Sequence, residues 1–271
     1  MSPKISIVTP CRNHAPFIRE TIESILSQDY PNLEYIVIDG GSTDGSAEII
    51  REYESHLTYF VSEPDTGHGN ALNKGFARSS GEIMAWLNSD DKYMPKSLQT
   101  VADIFDQHSD VDWLTGTNGW WNDRGVMIRS ANNYKNAVDF IRGDFTWIQQ
   151  ESTFWRRRLW QMAGGAINEQ YKLMVDGELW TRFFLHAELY HAHCILSGYR
   201  SHGDNRALHN YDTCLSEMRQ AINDLRPQLN MKARARYPVL DYLNGQWVQR
   251  FIKAPTYPEV IARKVLHRIS R

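Results

Sequence analysis

Two short acidic segments carry residue types that handle charged ligands. Asn88-Ser89-Asp90-Asp91 sets two carboxylates side by side. Such a pair can hold Mg2+ or Mn2+ and leave coordination positions open for diphosphate oxygens. The same four residues suit an Asx-rich turn or a helix cap, so taken alone the segment leaves both readings open. In Asp39-Gly40-Gly41-Ser42-Thr43-Asp44-Gly45 the glycines let the backbone approach a ligand, and Asp39 can accept hydrogen bonds from a base or a sugar. This segment lacks the closing Gly-Lys-Ser/Thr of a phosphate-binding P-loop. Gly67-His68-Gly69 does not complete a GxGxxG. P-loop NTPases and dinucleotide dehydrogenases are therefore disfavoured.

Both segments follow apolar runs, and the runs define the scaffold. Ile5–Thr9, Tyr35–Ile38, Leu57–Val61 and Ile83–Leu87 read as buried strands. Between them lie helical spacings. Ile18, Ile22 and Ile25 follow a start capped by Asn13 with Pro16 in the first turn, Ile49 and Ile50 follow caps at Ser42–Asp44, and Asn70–Ala77 continues the series. After Pro95, Leu98, Val101, Ala102 and Phe105 share one helical face. Strand–helix alternation implies a mainly parallel sheet with covered faces. Ligands of such sheets bind beyond the carboxyl ends of the strands. Here those ends are Pro10–Asn13, Asp39–Asp44, Ser62–Asp65 and Asn88–Asp91, all polar.

The second half is less regular. Asp112–Thr115 and Ser152–Trp155 read as strands, Trp120–Gly125 as a wet turn, Asp176–Ala187 as a helix and Tyr190–Tyr199 as one strand. From Ser216 onward the chain reads as helical and partly basic. His191 and His193 alternate on the expected strand and so would share a face.

Composition narrows the classes. The 271 residues allow one large or two small domains at ~150 residues each. Hydrophobic residues at 42% and charged residues at 23% exclude disorder and collagen-like repeats. Thirty basic against 32 acidic residues leave a formal charge of -2, which speaks against a nucleic-acid partner. Most of the nine tryptophans are expected in the core. Cys11, Cys194 and Cys214 form no CxxC and suggest neither a disulfide framework nor a zinc site, as expected of a reducing compartment. Ile5 follows almost at once on Met1, without room for a signal peptide, and no stretch approaches the ~20 apolar residues that span a bilayer, so a cytoplasmic location is expected.

The motifs in order add a family resemblance. Thr9-Pro10-Cys11-Arg12-Asn13, Val37-Ile38-Asp39-Gly40-Gly41-Ser42-Thr43-Asp44-Gly45, Glu63-Pro64-Asp65-Thr66-Gly67, Asn73-Lys74-Gly75 and Trp86-Leu87-Asn88-Ser89-Asp90-Asp91 resemble the signatures of family-2 glycosyltransferases. Gln149–Arg157 and Asp176-Gly177-Glu178-Leu179-Trp180 resemble the family's later blocks, so the likeness runs from about residue 4 to 205. It implies the GT-A fold, an α/β architecture with helices flanking a mainly parallel sheet. It further implies a nucleotide-diphospho-sugar donor, Mg2+ or Mn2+, and inversion at the anomeric carbon. Nucleotide-sugar synthesis by a nucleotidyltransferase is the rival reaction on such a fold, but Pro10–Asn13 has no glycine for a triphosphate loop. A non-catalytic sugar- or membrane-binding module is the rival without chemistry.

Residue by residue, the resemblance implies that Asp39 contacts the nucleobase, that Pro10 and Arg12 line its pocket, and that Asp65 lies near the nucleotide. Asn88 stands at the first position of the DxD-type motif, where the family usually has Asp, so a ribose contact there would use an amide. Asp90 matches the metal-ligand position, Asp91 could share it, and His202 resembles a late histidine near metal and diphosphate. Asp176 matches the catalytic base. An inverting transfer needs a carboxylate that takes the acceptor hydroxyl's proton, and a helix start favours its ionised form. Glu178, two residues on, is the rival base and faces elsewhere on the helix.

Trp120, Trp121 and Trp147 are candidate sugar-stacking residues beside the acceptor, with Gln150 and Glu178 as polar candidates there. Lys74 suits either a phosphate contact or a solvated helix face. The stretch 260–271 alternates apolar and basic residues at helical spacing. It suits an anionic membrane surface and a lipid-linked acceptor, or equally a terminal helix packed on protein. The expected organisation is a catalytic domain over 1–215 and a helical C-terminal extension over 216–271. With no QxxRW-type motif in view, the transfer of one sugar per encounter is expected, and cell-surface polysaccharide or glycolipid assembly is the pathway the family suggests.

Overall fold

The structure is a computed structural model that describes residues 2–132, 135–137 and 148–228. The chain divides into two compact units, Met1–Arg226 and Pro227–Arg271, and the architecture below belongs to the first. The stretch 260–271 and Trp147 lie outside the described residues.

The first half alternates as its hydrophobic pattern requires: β1 (Ile5–Cys11), α1 (Ala15–Leu26), β2 (Leu33–Asp39), α2 (Ser46–Arg51), β3 (Tyr59–Ser62), α3 (His68–Phe76) and β4 (Ile83–Trp86). Then come β5 (Lys92–Tyr93), α4 (Ser97–Gln107), β6 (Trp113–Thr115), β7 (Asn118–Trp121), β8 (Met127–Ala131), β9 (Thr153–Arg156) and α5 (Arg157–Met162). The last elements are α6 (Val175–Phe184), β10 (Tyr190–His191), β11 (Ser197–Arg200), α7 (Arg206–His209) and α8 (Tyr211–Leu225).

A seven-stranded sheet runs β10-β6-β9-β4-β1-β2-β3. Its pairs are parallel except those of β9, which lies antiparallel between β4 and β6. Four strands, β5-β11-β7-β8, form a second sheet. Tyr190–Tyr199 is therefore not one strand. Its two ends join different sheets, because the segment between them leaves the first to cross into the second.

Pro10 sits inside β1, opposite Ile38 of β2. The Val8 carbonyl accepts the Leu87 amide on the β4 side, so the missing Pro10 N–H points the same way. Pairing with β4 has ended by then, and no ladder bond is lost. In α1, Ile18, Ile22 and Ile25 are fully buried, as their spacing predicts. Asn13 does not cap this helix. With φ at 55° it turns back, and its side chain accepts the Thr43 amide, while Asp44 accepts the Ala15 amide.

Trp86, Trp113, Trp155 and Trp180 meet in the core with 1% exposure or less. Trp86 stacks on Trp180 at 5.8 Å, and Trp155 meets Trp86 edge-on at 5.5 Å. Trp180 comes from α6 one turn after Asp176, and such i,i+4 residues share a helix face. Burying Trp180 among strand residues therefore fixes where the start of α6 meets the sheet.

Candidate active site

The site forms at the carboxyl ends of β1 to β4, bordered by α6 and β11. On one side two loops are laced together. The Asn13 amide donates to Ser42 Oγ at 2.8 Å, and the Gly40 amide to the Cys11 carbonyl at 2.8 Å. Asp39 is fully buried beneath them. It accepts the Ser42 amide at 3.0 Å, the Ser42 hydroxyl, and the Ser62 hydroxyl at 2.6 Å. Its carboxylate thus shapes the expected nucleobase loop from below. Asp65 accepts the Gly67 amide at 2.9 Å and lies against Gly40, where a Cβ would collide with its carboxylate. The absence of a side chain at Gly40 is thus required by close approach. Arg12 is exposed and stands 3.9 Å from Asp65. Lys74 pairs with Glu63 at 2.7 Å. Cys11 is buried beneath the same loops, and burial pushes its thiol up to about 12, so it takes no part as a thiolate.

Beyond β4 the chain turns through Asn88–Asp91, closed by the Asp91 amide donating to the Asn88 carbonyl. Asn88 Oδ1 is buried without a hydrogen-bond partner. Asp90 Oδ2 lies 3.1 Å from His202 Nε2. His202 Nδ1 lies 3.3 Å from the Asp204 amide. Burial opposes the charge on Asp90, yet the His202 hydrogen bond and the nearby histidines outweigh it and hold the carboxyl below the usual range.

Asp91 does not join this pair. It is 1% exposed and turned inward, where Oδ1 accepts the Arg200 amide at 2.7 Å. Burial, with Asp90 and Glu151 nearby, raises its pKa well above the ordinary value. Among the described residues no three His, Cys, Asp or Glu side chains are grouped to hold a metal. The donor set that remains is one carboxylate and one imidazole. Their 3.1 Å separation is close to the ~3 Å edge of an octahedron with ~2.1 Å bonds, so the pair fits two ligands of a divalent cation.

Asp176 is half-buried in the first turn of α6, near the buried Glu151 that also faces Asp90. Burial pushes it up to about 6, against the Gly177 amide and its own, which favour the charge. Desolvation outweighs the helix start, yet a carboxyl at about 6 is still mostly ionised near pH 7. Glu178 is held by Arg182 through two 2.8 Å bonds, and Arg182 also donates to Ala163 and Ala166 carbonyls. Its carboxylate fastens α6 and is not free to act as a base.

Glu151 is a residue that sequence reasoning missed. It lies 4% exposed in the turn Gln150–Ser152, with Oε1 buried and unpartnered. Burial pushes it up to about 8, and both Asp176 and Asp90 lie near enough to add to the shift. Gln150 beside it donates to the Trp86 carbonyl at 2.5 Å, and its Oε1 is also buried and unpartnered. The order Gln-Gln-Glu-Ser-Thr was visible, but nothing in it showed the depth of burial.

The expected wet turn at Trp120–Gly125 begins later. Trp120 and Trp121 belong to β7, and the turn follows them. Trp121 is 5% exposed beneath the Lys92 ammonium, so it lines no open platform. Trp120 is half-buried, with Arg129 over its ring at 4.6 Å.

The sequence matches the family model described as "Glycosyl transferase family 2" over residues 6–172. A glycosyltransferase of Rickettsia prowazekii is 29% identical over 208 residues, covering 74% of this chain and 65% of that protein. Chondroitin synthase of Pasteurella multocida is 26% identical over 265 residues, or 96% of this chain and 27% of its own. The first curated relatives are spanned for 35% to 65% of their length. Among solved structures, S. aureus TarS with UDP-GlcNAc superposes with a TM-score of 0.64 at 18% identity, covering 86% of this chain and 74% of that one. The mannosyltransferase PcManGT of Pyrobaculum calidifontis, with GDP-Man and Mn2+, gives 0.60 at 17% identity, covering 100% and 81%. These superpositions identify the fold as GT-A. The family model spans more than half of the sequence, and the chain belongs to glycosyl transferase family 2.

Proposed function

We propose that this chain is an inverting, cation-dependent glycosyltransferase that moves one sugar from a nucleotide-diphospho-sugar to an acceptor hydroxyl. The observation that carries the reading is the pairing of two different chemistries across one site. Asp90 and His202 form a two-atom cation seat on one side, and Asp176, pushed up to about 6, waits on the other. The nucleotide lies over the Asp39 and Asp65 loops, and Asn88 offers its free amide oxygen to the ribose. Asp90 and His202 would hold Mg2+ or Mn2+ beside the diphosphate. A cation there offsets the charge that builds on the departing diphosphate. Asp176 takes the acceptor hydroxyl's proton as that oxygen bonds to the anomeric carbon from the face opposite the diphosphate. The carbon–oxygen bond to the diphosphate breaks, the electron pair leaves with it, and configuration inverts.

Relatives suggest the acceptor class. Chondroitin synthase names a polysaccharide product, and the two superposed structures hold UDP-GlcNAc and GDP-Man. We assign this chain to polysaccharide or glycolipid assembly on the cytoplasmic face of the membrane, with the basic stretch 260–271 on the lipid surface. Sedimentation with anionic vesicles, lost when 260–271 is deleted, tests that placement.

Thermal-shift measurements with UDP-, GDP- and dTDP-sugars and Mn2+ identify the donor, because ligand binding raises apparent stability. Asp176→Asn should abolish donor-dependent transfer and keep nucleotide binding. Unchanged transfer by that variant would remove Asp176 as the base. A wild-type protein that binds no nucleotide in the presence of Mn2+ would overturn the enzyme reading, and release of pyrophosphate from a nucleoside triphosphate would favour nucleotidyl transfer.

A further inference from the structure

Arg200 is 2% exposed, and the reaction described above gives its buried guanidinium no task. Its contacts reach the Asp90 turn, α1 and the turn after β7. Nε donates to the Asp90 carbonyl at 2.5 Å, and its backbone amide donates to Asp91 Oδ1. Nη2 pairs with Glu20 of α1 at 2.6 Å, and Nη1 donates to the Asp123 carbonyl at 3.3 Å. The guanidinium lies 5.1 Å from the Phe17 ring centre, and Phe17 is in turn 4.7 Å from the ring of His202. Asn205 closes the circuit, donating to the Arg200 carbonyl at 3.0 Å and accepting the His202 amide at 2.6 Å. The Asp90 turn is pinned from below by Thr21, whose hydroxyl meets the Asp91 and Ser89 carbonyls at 2.7 and 3.0 Å.

We propose that Arg200 is the positioning residue of the cation seat, fixing the Asp90 main chain and the His202 ring at their working separation, with Glu20 holding the guanidinium in that pose. The inference rests on Asp90 and His202 being the cation's ligands. Burying a guanidinium is costly unless every donor is used, and this one is spread over three elements. A rigid planar fork can bridge three acceptors at once, whereas an ammonium on a flexible stem cannot. A packing role alone would be met by an apolar chain. Its bond to the Asp90 main chain, joined to His202 through Phe17 and Asn205, is what points to the cation.

The test measures Mn2+ binding directly, by the loss of the free-ion electron paramagnetic resonance signal. UDP or GDP is present, whichever stabilises the wild type. Arg200→Lys, Arg200→Met and Glu20→Gln are compared with the wild type, with circular dichroism to establish folding. Outer partners of metal ligands typically change affinity by about 10- to 100-fold, and both Arg200 variants should weaken Mn2+ by that much. Glu20→Gln should weaken it less. The donor KM should rise at fixed Mn2+ and return towards wild type at excess Mn2+, with nucleotide binding in the absence of metal unchanged. A folded Arg200 variant with wild-type Mn2+ affinity overturns the proposal. So does a loss of nucleotide binding that excess Mn2+ does not rescue, which marks a structural role. If neither Arg200 variant folds, Glu20→Gln decides, and unchanged Mn2+ affinity there overturns it. Wild-type protein that binds no Mn2+ even with nucleotide present instead removes the cation from the proposed function.

Discussion

The two sides of the site handle their carboxyl groups in opposite ways. On the proposed nucleotide side, Asp39 and Asp65 are buried or half-buried but answered by hydroxyls and amides, and Asp90 by His202. On the proposed acceptor side, Asp176 and Glu151 are desolvated with few partners and pushed up, to about 6 and about 8. On one side Asp90 is held charged, while Asp39 and Asp65 shape loops. The other is built to take and hold protons. The difference shows that burial alone does not set a carboxyl's proton affinity, because hydrogen bonds and neighbouring charges add to it.

The comparison breaks first at Asp176. Replacing it with Asn should lower kcat by about 10^3-fold, within the range of general-base catalysis. The wild-type rate should itself fall as pH drops below about 6, since a protonated base cannot accept a proton. Trp180→Ala is the second break, at about 4 kcal/mol of stability in chemical denaturation, because it empties the cluster that seats α6.

The third test concerns Glu151. Its folded pKa lies above the unfolded value of 4.5, so the native state keeps a proton that the unfolded chain releases. Stability is therefore fully present below about pH 4.5 and lost as pH rises to about 8. Glu151→Gln should then gain about 4 kcal/mol at pH 8 and nothing near pH 4, read as thermal stability at both pH values. A gain at pH 4 as large as that at pH 8 would show that Glu151 is not held protonated. The smallest effect belongs to the nucleotide side. Arg12 is exposed and 3.9 Å from Asp65, so Arg12→Ala should change stability by less than about 0.5 kcal/mol, and nucleotide affinity is its informative readout.

Much of the nucleotide side was legible because it is local. Asp39, Asp65 and Asn88–Asp91 each follow an apolar run, and strand ends of a parallel sheet gather ligands by construction. The second half resisted reading because its partners are distant in sequence. Tyr190–Tyr199 is apolar enough for one strand, yet its ends serve two sheets. Trp121 looked exposed beside polar neighbours, but Lys92 covers it from another strand. Arg200 stood between Tyr199 and His202 without a signal, since Glu20, Asp90 and Asp123 meet it only after folding.

Hydrophobic periodicity and the ordered motifs by themselves determined the alternation of strands and helices, the polar strand ends and the family, all properties of residues close together in the chain. Only the tertiary structure decided which acids face the site. Adjacent Asp90 and Asp91 diverge, one towards His202 and one onto the Arg200 amide, because a turn sends successive side chains to different surroundings. Proton affinity follows those surroundings, and desolvation is a property of packing that no local spacing encodes.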